Sequence, residues 1–377
     1  MVKRIIIVLI SISVIILSPI YAYAEDSTIP DEYGDLLDSL PDDITETLPE
    51  GIYSNNEDEA LNAIHKMSSW EYISEKVIDI ININFNDAIK ALAALSSLII
   101  LSSILRSMIN TFNNTSISKA LRLVSNILVV VALIEISKTP LEKAVQLLDR
   151  IRLFVNSSSP LICTMYAMGG NVNKALVHNY GFLVFLSVFE NICIMALEMI
   201  LGVCISLTLA STFISDGNLI SLSKSIKKAF TSFIGIIMVI FTAVISTQSL
   251  LASKADSLSA KTGKVIASQM IPIVGGTVGD SLKAIGASIE YIRSYVGVSV
   301  IIIFLLTVLP TIISLYLYRL SFIISNSLAG LLGCDTEGGV IAEISGIYGY
   351  AIAILVICSV ALLFLLVVFV MTRSAIS

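Results

Sequence analysis

Two carboxylates, Glu190 and Glu198, sit inside one long apolar stretch near residues 180–212. A carboxylate in hydrocarbon is costly, so it normally faces protein or water. Eight residues on a helix rotate by about 80°, so the two could share a broad face. That face could carry an ion relay or line a pore. The plainer alternative is a protonated or paired structural glutamate, helped by Asn191. The other chemically suggestive stretch is "MIPIVGGTVGD", residues 270–280. It packs Pro272, Gly275, Gly276, Gly279 and Asp280 into an apolar neighbourhood. Proline forbids a continuous helix, and glycine permits positive φ and close backbone approach. Non-helical backbone at membrane depth survives only in protein or beside water. The stretch is therefore expected to be a re-entrant turn or a hinge at the mouth of a cavity, with Asp280 capping the helix after it. An exposed loop between spans is the alternative.

Catalytic constellations do not assemble. The glycines form neither G-x-G-x-x-G nor a P-loop. Thr277-Val278-Gly279-Asp280 misses the G-x-G-D of intramembrane aspartyl proteases, because Thr277 stands where they have glycine. Histidine occurs only as His65 and His178, too few for a three-ligand metal site. No G-x-S-x-G elbow occurs. The five cysteines, Cys163, Cys193, Cys204, Cys334 and Cys358, lie in or beside apolar segments without metal spacing and read as buried hydrophobes. No catalytic residue, cofactor or metal is expected, and the chain is read as a non-enzyme.

The elements that would position these residues are membrane spans. Of 377 residues, 56% are hydrophobic and 14% charged. A soluble chain carries nearer a quarter charged. An all-α, polytopic helical membrane protein follows, with about six spans and six to eight admissible. The spans fall near 88–109, 119–137, 180–212, 229–250, 296–328 and 346–372. Pro310 should kink the fifth.

The N-terminus reads as a signal peptide over 1–24. Lys3 and Arg4 precede the apolar run Ile5–Leu17, and Ala22-Tyr23-Ala24 follows. An uncleaved anchor is the alternative, and either exports the segment that follows. Residues 25–86 hold 16 acidic side chains and only Lys66 and Lys76, while the rest of the mature chain holds 13 acidic and 19 basic. Such an acidic segment repels nucleic acid and anionic lipid. Residues 25–56, with Pro30, Pro41 and Pro49, read as a poorly ordered linker. Over 57–86, Leu61, Ile64, Met67, Trp70, Ile73, Val77 and Ile80 make one helical stripe. It would lie against the membrane domain (87–377) or dock a partner.

Charge settles the orientation only partly. With the N-terminus outside, Arg106, Lys119 and Arg122, and then Lys224, Lys227 and Lys228, mark inner loops. Lys138, Lys143, Arg150 and Arg152 would then lie outside, against the rule. Either the span count is off by one or two, or those basic residues ride on amphipathic helices packed on the protein. The segments 141–170 and 252–276 each run from a charged amphipathic stretch through Pro160 or Pro272 to paired glycines. They suggest an internal repeat of the kind found in transporters, or a coincidence of two apolar loops.

Residues 255–288, "ADSLSAKTGKVIASQMIPIVGGTVGDSLKAIGAS", resemble the most recognisable block of the stage III sporulation protein AE family. The resemblance implies a polytopic component of a sporulation-specific channel, or secretion-like complex, between mother cell and forespore. It implies residence in the mother-cell membrane around the forespore and a need for the protein late in forespore development. The implied partners are the other stage III sporulation A-set membrane proteins and, indirectly, the forespore channel protein. Oligomerisation, contact with the lipid bilayer and no nucleic acid complete that expectation. A self-contained secondary transporter of ions or small solutes is the alternative, resting on the repeat, Pro310 and the Glu190 and Glu198 pair.

Overall fold

The computed structural model describes residues 30–54, 57–111, 115–168, 183–213, 219–237, 239–240, 243 and 275–370. These residues are helical with no strand among them. In chain order the helices are α1 (Asp31–Asp38), α2 (Asp42–Thr45), α3 (Glu57–Met67), α4 (Trp70–Thr111), α5 (Thr115–Met168) and α6 (Leu183–Met199). A π-helical turn, Ile200–Cys204, joins α6 to α7 (Ile205–Ala210). Helix α8 covers 219–237, and α9 (Gly275–Leu331) and α10 (Asp335–Val370) complete the set. Among the described residues, five segments are long and apolar enough to cross a membrane: Trp70–Ile109, Ser116–Met168, Val188–Ala210, Ser294–Leu331 and Asp335–Val367. The protein is thus all-α and polytopic. The sixth expected span, 229–250, runs beyond the described part of α8.

The α9 and α10 pair forms the centre. Gly333, at φ +69, turns the chain between them. A Cβ at Gly297 would meet Val370 and Phe369, and one at Gly338 would meet Asn326 and Ala329. Contacts at both ends fix α10 as antiparallel to the part of α9 that runs from Gly297 to the turn. Helix α5 runs parallel to α10, with Tyr348 Oη donating to the Ser137 carbonyl (3.5 Å) and Tyr166 edge-on to Phe369. Helix α6 returns beside α5, and Asn126 Nδ2 donates to the Thr212 carbonyl beyond α7 (2.7 Å).

Several segments differ from the sequence expectations. Residues 30–54 form helices with a buried side. Tyr33, Leu36, Leu37, Leu40 and Ile44 make a short stripe at helical spacing, all buried. Pro30 and Pro41 precede α1 and α2 at the N-caps, where proline costs no helical hydrogen bond. The stripe over 61–80 is broken at Ser68 and Ser69, between Met67 (fully buried) and Trp70 (65% exposed). The boundary drawn at residue 87 falls inside the 42-residue helix α4.

The segment 141–170 likewise continues α5, a 54-residue helix with Pro140 and Pro160 inside it. Each proline removes one intrahelical hydrogen bond. Leu141, Ala144, Leu147, Leu148, Ile151 and Phe154 keep one buried stripe in register past Pro140. Packing of that face outweighs the lost bonds. Lys138, Lys143 and Arg150 therefore ride on a packed helix. The second repeat unit, 252–276, lies almost wholly outside the described residues.

Candidate functional site

Polar side chains gather along one helix, α10, which is otherwise the most apolar of the described helices. Glu343 is its centre. The Glu343 carboxylate accepts from Lys227 Nζ of α8 and from Ser223 Oγ (3.3 Å), and Lys224 Nζ stands 3.9 Å from its second oxygen. Lys227 is 2% exposed and Glu343 5%. The Lys227 ammonium also lies over the Tyr350 ring, 5.6 Å from its centroid. Such a cation gains from the ring's negative face when water is excluded.

Two glycines make room for the cations. A Cβ at Gly346 would stand 3.4 Å from Lys227 Nζ. A Cβ at Gly349 would stand 3.0 Å from Arg319 Cζ of α9. The three-residue spacing places both glycines on the same side of α10. Arg319 Nε has no partner among the described residues.

The seam extends both ways along α10. Towards its N-terminus, Ser102 Oγ of α4 donates to Glu337 Oε1 (2.7 Å), and Ser102 lies 3.5 Å from Ser125 of α5. Glu337 Oε2 is buried without a partner among the described residues, and the Arg106 guanidinium donates to the Gly333 carbonyl beside it. Towards its C-terminus, Tyr348 stacks on Tyr318 (6.3 Å, 2°) and packs against Phe322 (5.2 Å).

Glu190 reaches α10 from α6. It is 2% exposed, and its Oε1 has no partner among the described residues. Helix α6 packs against both α5 and α10. Glu198 is exposed. The two carboxylates therefore do not share a face, and the π-turn that follows does not reunite them.

Pro310 lies inside α9. Gly275, Gly276, Gly279 and Asp280 belong to the first turns of α9, and Pro272 lies outside the described residues. The helix after the glycine-rich stretch begins before Asp280, which is therefore not its cap.

Sequence reasoning missed the seam's central pair. In the sequence Lys227 reads as a loop charge that orients the chain, whereas α8 carries it into the bundle. Glu343 had one available signal. It is the last acidic residue before the apolar run to Val370, three residues from Gly346.

A family model described as Stage III sporulation protein AE matches residues 58–375. The chain belongs to the stage III sporulation protein AE family. Stage III sporulation protein AE of Bacillus subtilis (strain 168) is 25% identical over 248 residues, 64% of this chain and 61% of that relative. The match thus spans about three-fifths of the curated relative's length. No solved structure matches. As a member of the stage III sporulation protein AE family, the chain carries its whole charged seam within the matched region, whereas α1 and α2 precede it.

Proposed function

We propose that the chain is a membrane component of a sporulation-specific channel or secretion-like complex that links mother cell and forespore and is needed for late forespore development. The family match over 58–375 carries this reading. The seam supports it, because buried charge in a membrane bundle is expensive and is usually retained for function. The role is non-enzymatic. The chain sits in the mother-cell membrane around the forespore with its N-terminal segment exported. It assembles with copies of itself and with the other stage III sporulation A-set membrane proteins, and through them meets the forespore channel protein. In this reading the stretch from Met270 to Asp280 forms the mouth of the path, with Pro272 and the three glycines as its hinge and Pro310 as a kink in the wall.

A clean deletion tests the proposal. Engulfment should complete, late forespore gene expression should fail, and an ectopic copy should restore it. Normal spore yield in the deletion strain would remove the reading. A self-contained secondary transporter, the alternative, would draw on the repeat, Pro310 and the Glu190 and Glu198 pair, of which Glu190 is buried and Glu198 exposed.

A further inference from the structure

Helix α4 carries apolar side chains that the bundle leaves uncovered. Ile78, Ile81, Phe85 and Ile89 follow one another at three- and four-residue spacing, each between 40% and 56% exposed. Trp70, also exposed, stands three turns before Ile81 on the same side. From Ala88 onwards the seam is covered. Ala88, Leu95 and Ile99 are buried, and Ser321 Oγ of α9 donates to the Ala88 carbonyl (2.8 Å). Ile78, Ile81, Phe85, Ala88, Leu92 and Leu95 fall at successive a and d positions of one heptad pattern. The bundle uses the later half of this seam and leaves the earlier half open.

Hydrocarbon does not cover the open half. Asp79, Asn82, Asn84, Asn86 and Asp87 interleave with it, and the exposed pair of Asp87 with Lys90 (3.1 Å) stands at its far end. The Tyr72 hydroxyl donates to the Thr47 carbonyl, which ties the start of α4 to the segment after α2. Apolar side chains grouped on a polar surface mark protein contacts. Three features select the partner. First, copies of one chain in one membrane share an orientation, so an axis along the membrane normal relates them and brings identical residues to the same level. Secondly, the exposed positions keep heptad register, the pattern by which parallel helices pair. Thirdly, the flanking e and g positions are Val77, Asn82, Asn84 and Ile89. In a parallel self-contact the e and g flanks of identical helices face each other, and like charges there would repel. None of these four is charged, and Asp79, Asp87 and Lys90 lie outside the flanks.

We propose that α4 pairs through Ile78, Ile81 and Phe85 with the same segment of a second copy of this chain, in parallel, on the α1 and α2 side of the bundle. The inference deepens the self-assembly proposed above and rests on it. Ile89 closes the far end of the contact. The two α4 helices part at Ala88, where each enters its own bundle. Ile83 is exposed too, but two residues from Ile81 and Phe85 it points to the opposite side of the helix and stays outside the contact.

The test uses the full chain in native membranes, with the five native cysteines replaced. On oxidation with copper phenanthroline, Ile81→Cys and Phe85→Cys should each form a disulfide-linked dimer, and Ile83→Cys should not. In purified full chain, the pair Ile81→Asn with Phe85→Asn should weaken self-association by more than about tenfold, the scale of one buried apolar side chain. Ile83→Asn should leave it unchanged. Native mass spectrometry reads the copy number, and a thermal melt reports whether each variant is folded. A photo-cross-linking side chain at position 85 should capture a second copy in sporulating cells. No dimer from either seam cysteine, equal cross-linking from Ile83→Cys, self-association undiminished by the asparagine pair, or capture of a different protein from position 85 would overturn the proposal. Normal spore yield in a deletion strain would remove the channel role and leave the cross-linking pattern readable, so the two failures are distinct.

Discussion

Lys227 and Glu343 lie 116 residues apart in sequence and meet inside the bundle. Each has left water, and their attraction must offset both desolvation costs. Removing one partner therefore strands the other. Lys227→Met should destabilise the protein by about 3–5 kcal/mol, and so should Glu343→Leu. The double variant Lys227→Met with Glu343→Leu should recover much of that loss, since no buried charge remains and the volumes are similar. Thermal melts in detergent would give the cycle. Additive losses would mean that the two do not act as a pair. If the double variant melts normally yet fails to support sporulation, the pair is kept for function and not for stability. Individual charges of this kind are the least legible feature of the sequence. A lysine at a loop and a lysine that α8 tilts into the core look alike until the partner helix is placed.

Helices α1 and α2 show what short elements can do here. Tyr33 Oη donates to Ser299 Oγ of α9 (2.9 Å) inside the bundle, Thr164 Oγ1 donates to Glu32 (2.8 Å), and Arg150 pairs with Asp43 (2.7 Å). The last pair is partly exposed and adds at most about 1 kcal/mol. Tyr33 and the apolar stripe beside it carry the docking. Burial pushes the Tyr33 phenol above its ordinary value of 10.0. The folded state thus favours the neutral phenol, so its contribution is complete below about pH 10 and declines as pH rises past it. Hydrogen exchange of residues 30–54 should quicken above about pH 10 in the wild type. In Tyr33→Phe it should already be faster at pH 8, and the Tyr33-dependent part of the alkaline increase should vanish. An identical alkaline rise in that variant would mean that another group controls docking. The apolar stripe of α1 was present in the sequence, but acidic composition and three prolines masked it. The apolar parts of the long helices were legible as spans, because hydropathy alone marks them. Their lengths were not. A 54-residue helix emerges only once packing holds Pro140 and Pro160 in register with the buried face of α5.

At the scale of the molecule, the helices outreach the membrane. Helices α4, α5 and α9, of 42, 54 and 57 residues, would measure about 63, 81 and 86 Å at 1.5 Å per residue, against about 30 Å of hydrocarbon. The side chains indicate where the excess goes. On α4 Ile78, Ile81, Ile83, Phe85 and Ile89 are exposed among polar residues, and the later exposed apolar residues Ile100, Leu101, Ile104 and Met108 match Ile117, Leu123, Val124, Ile127, Leu128, Val131 and Ile134 on α5, which follows it. Further along α5 the exposed positions are mostly polar, with Glu142, Lys143, Gln146, Asp149, Arg152 and Asn156, and Leu153 among them. The opposite, buried side of this part of α5 packs along α10 between Tyr348 and Phe369, most of whose residues are buried and the rest of the described ones half-buried. The apolar run of α10 is therefore walled off by protein on the α5 side, and hydrocarbon is not what surrounds it there. We infer that the bundle has a lipid-embedded half and a water-facing half on the side of α1 and α2. A cysteine scan decides the point. After the five native cysteines are replaced, single cysteines at Ile127, Val131, Glu142, Gln146, Asp149 and Asn156 would be probed with a membrane-impermeant thiol reagent. The first two should resist from either side. The other four should label in intact cells, from the side that labels a cysteine at Thr45. Labelling of the four only after permeabilisation would reverse the assigned orientation. Protection of all four would place the charged face of α5 against another chain. Extending the scan across residues 270–280 tests the proposed mouth in the same membranes. Reagent reaching Gly275 or Gly276 from the water-facing side would join that stretch to the path along α5, and sealed positions would leave it a packing element.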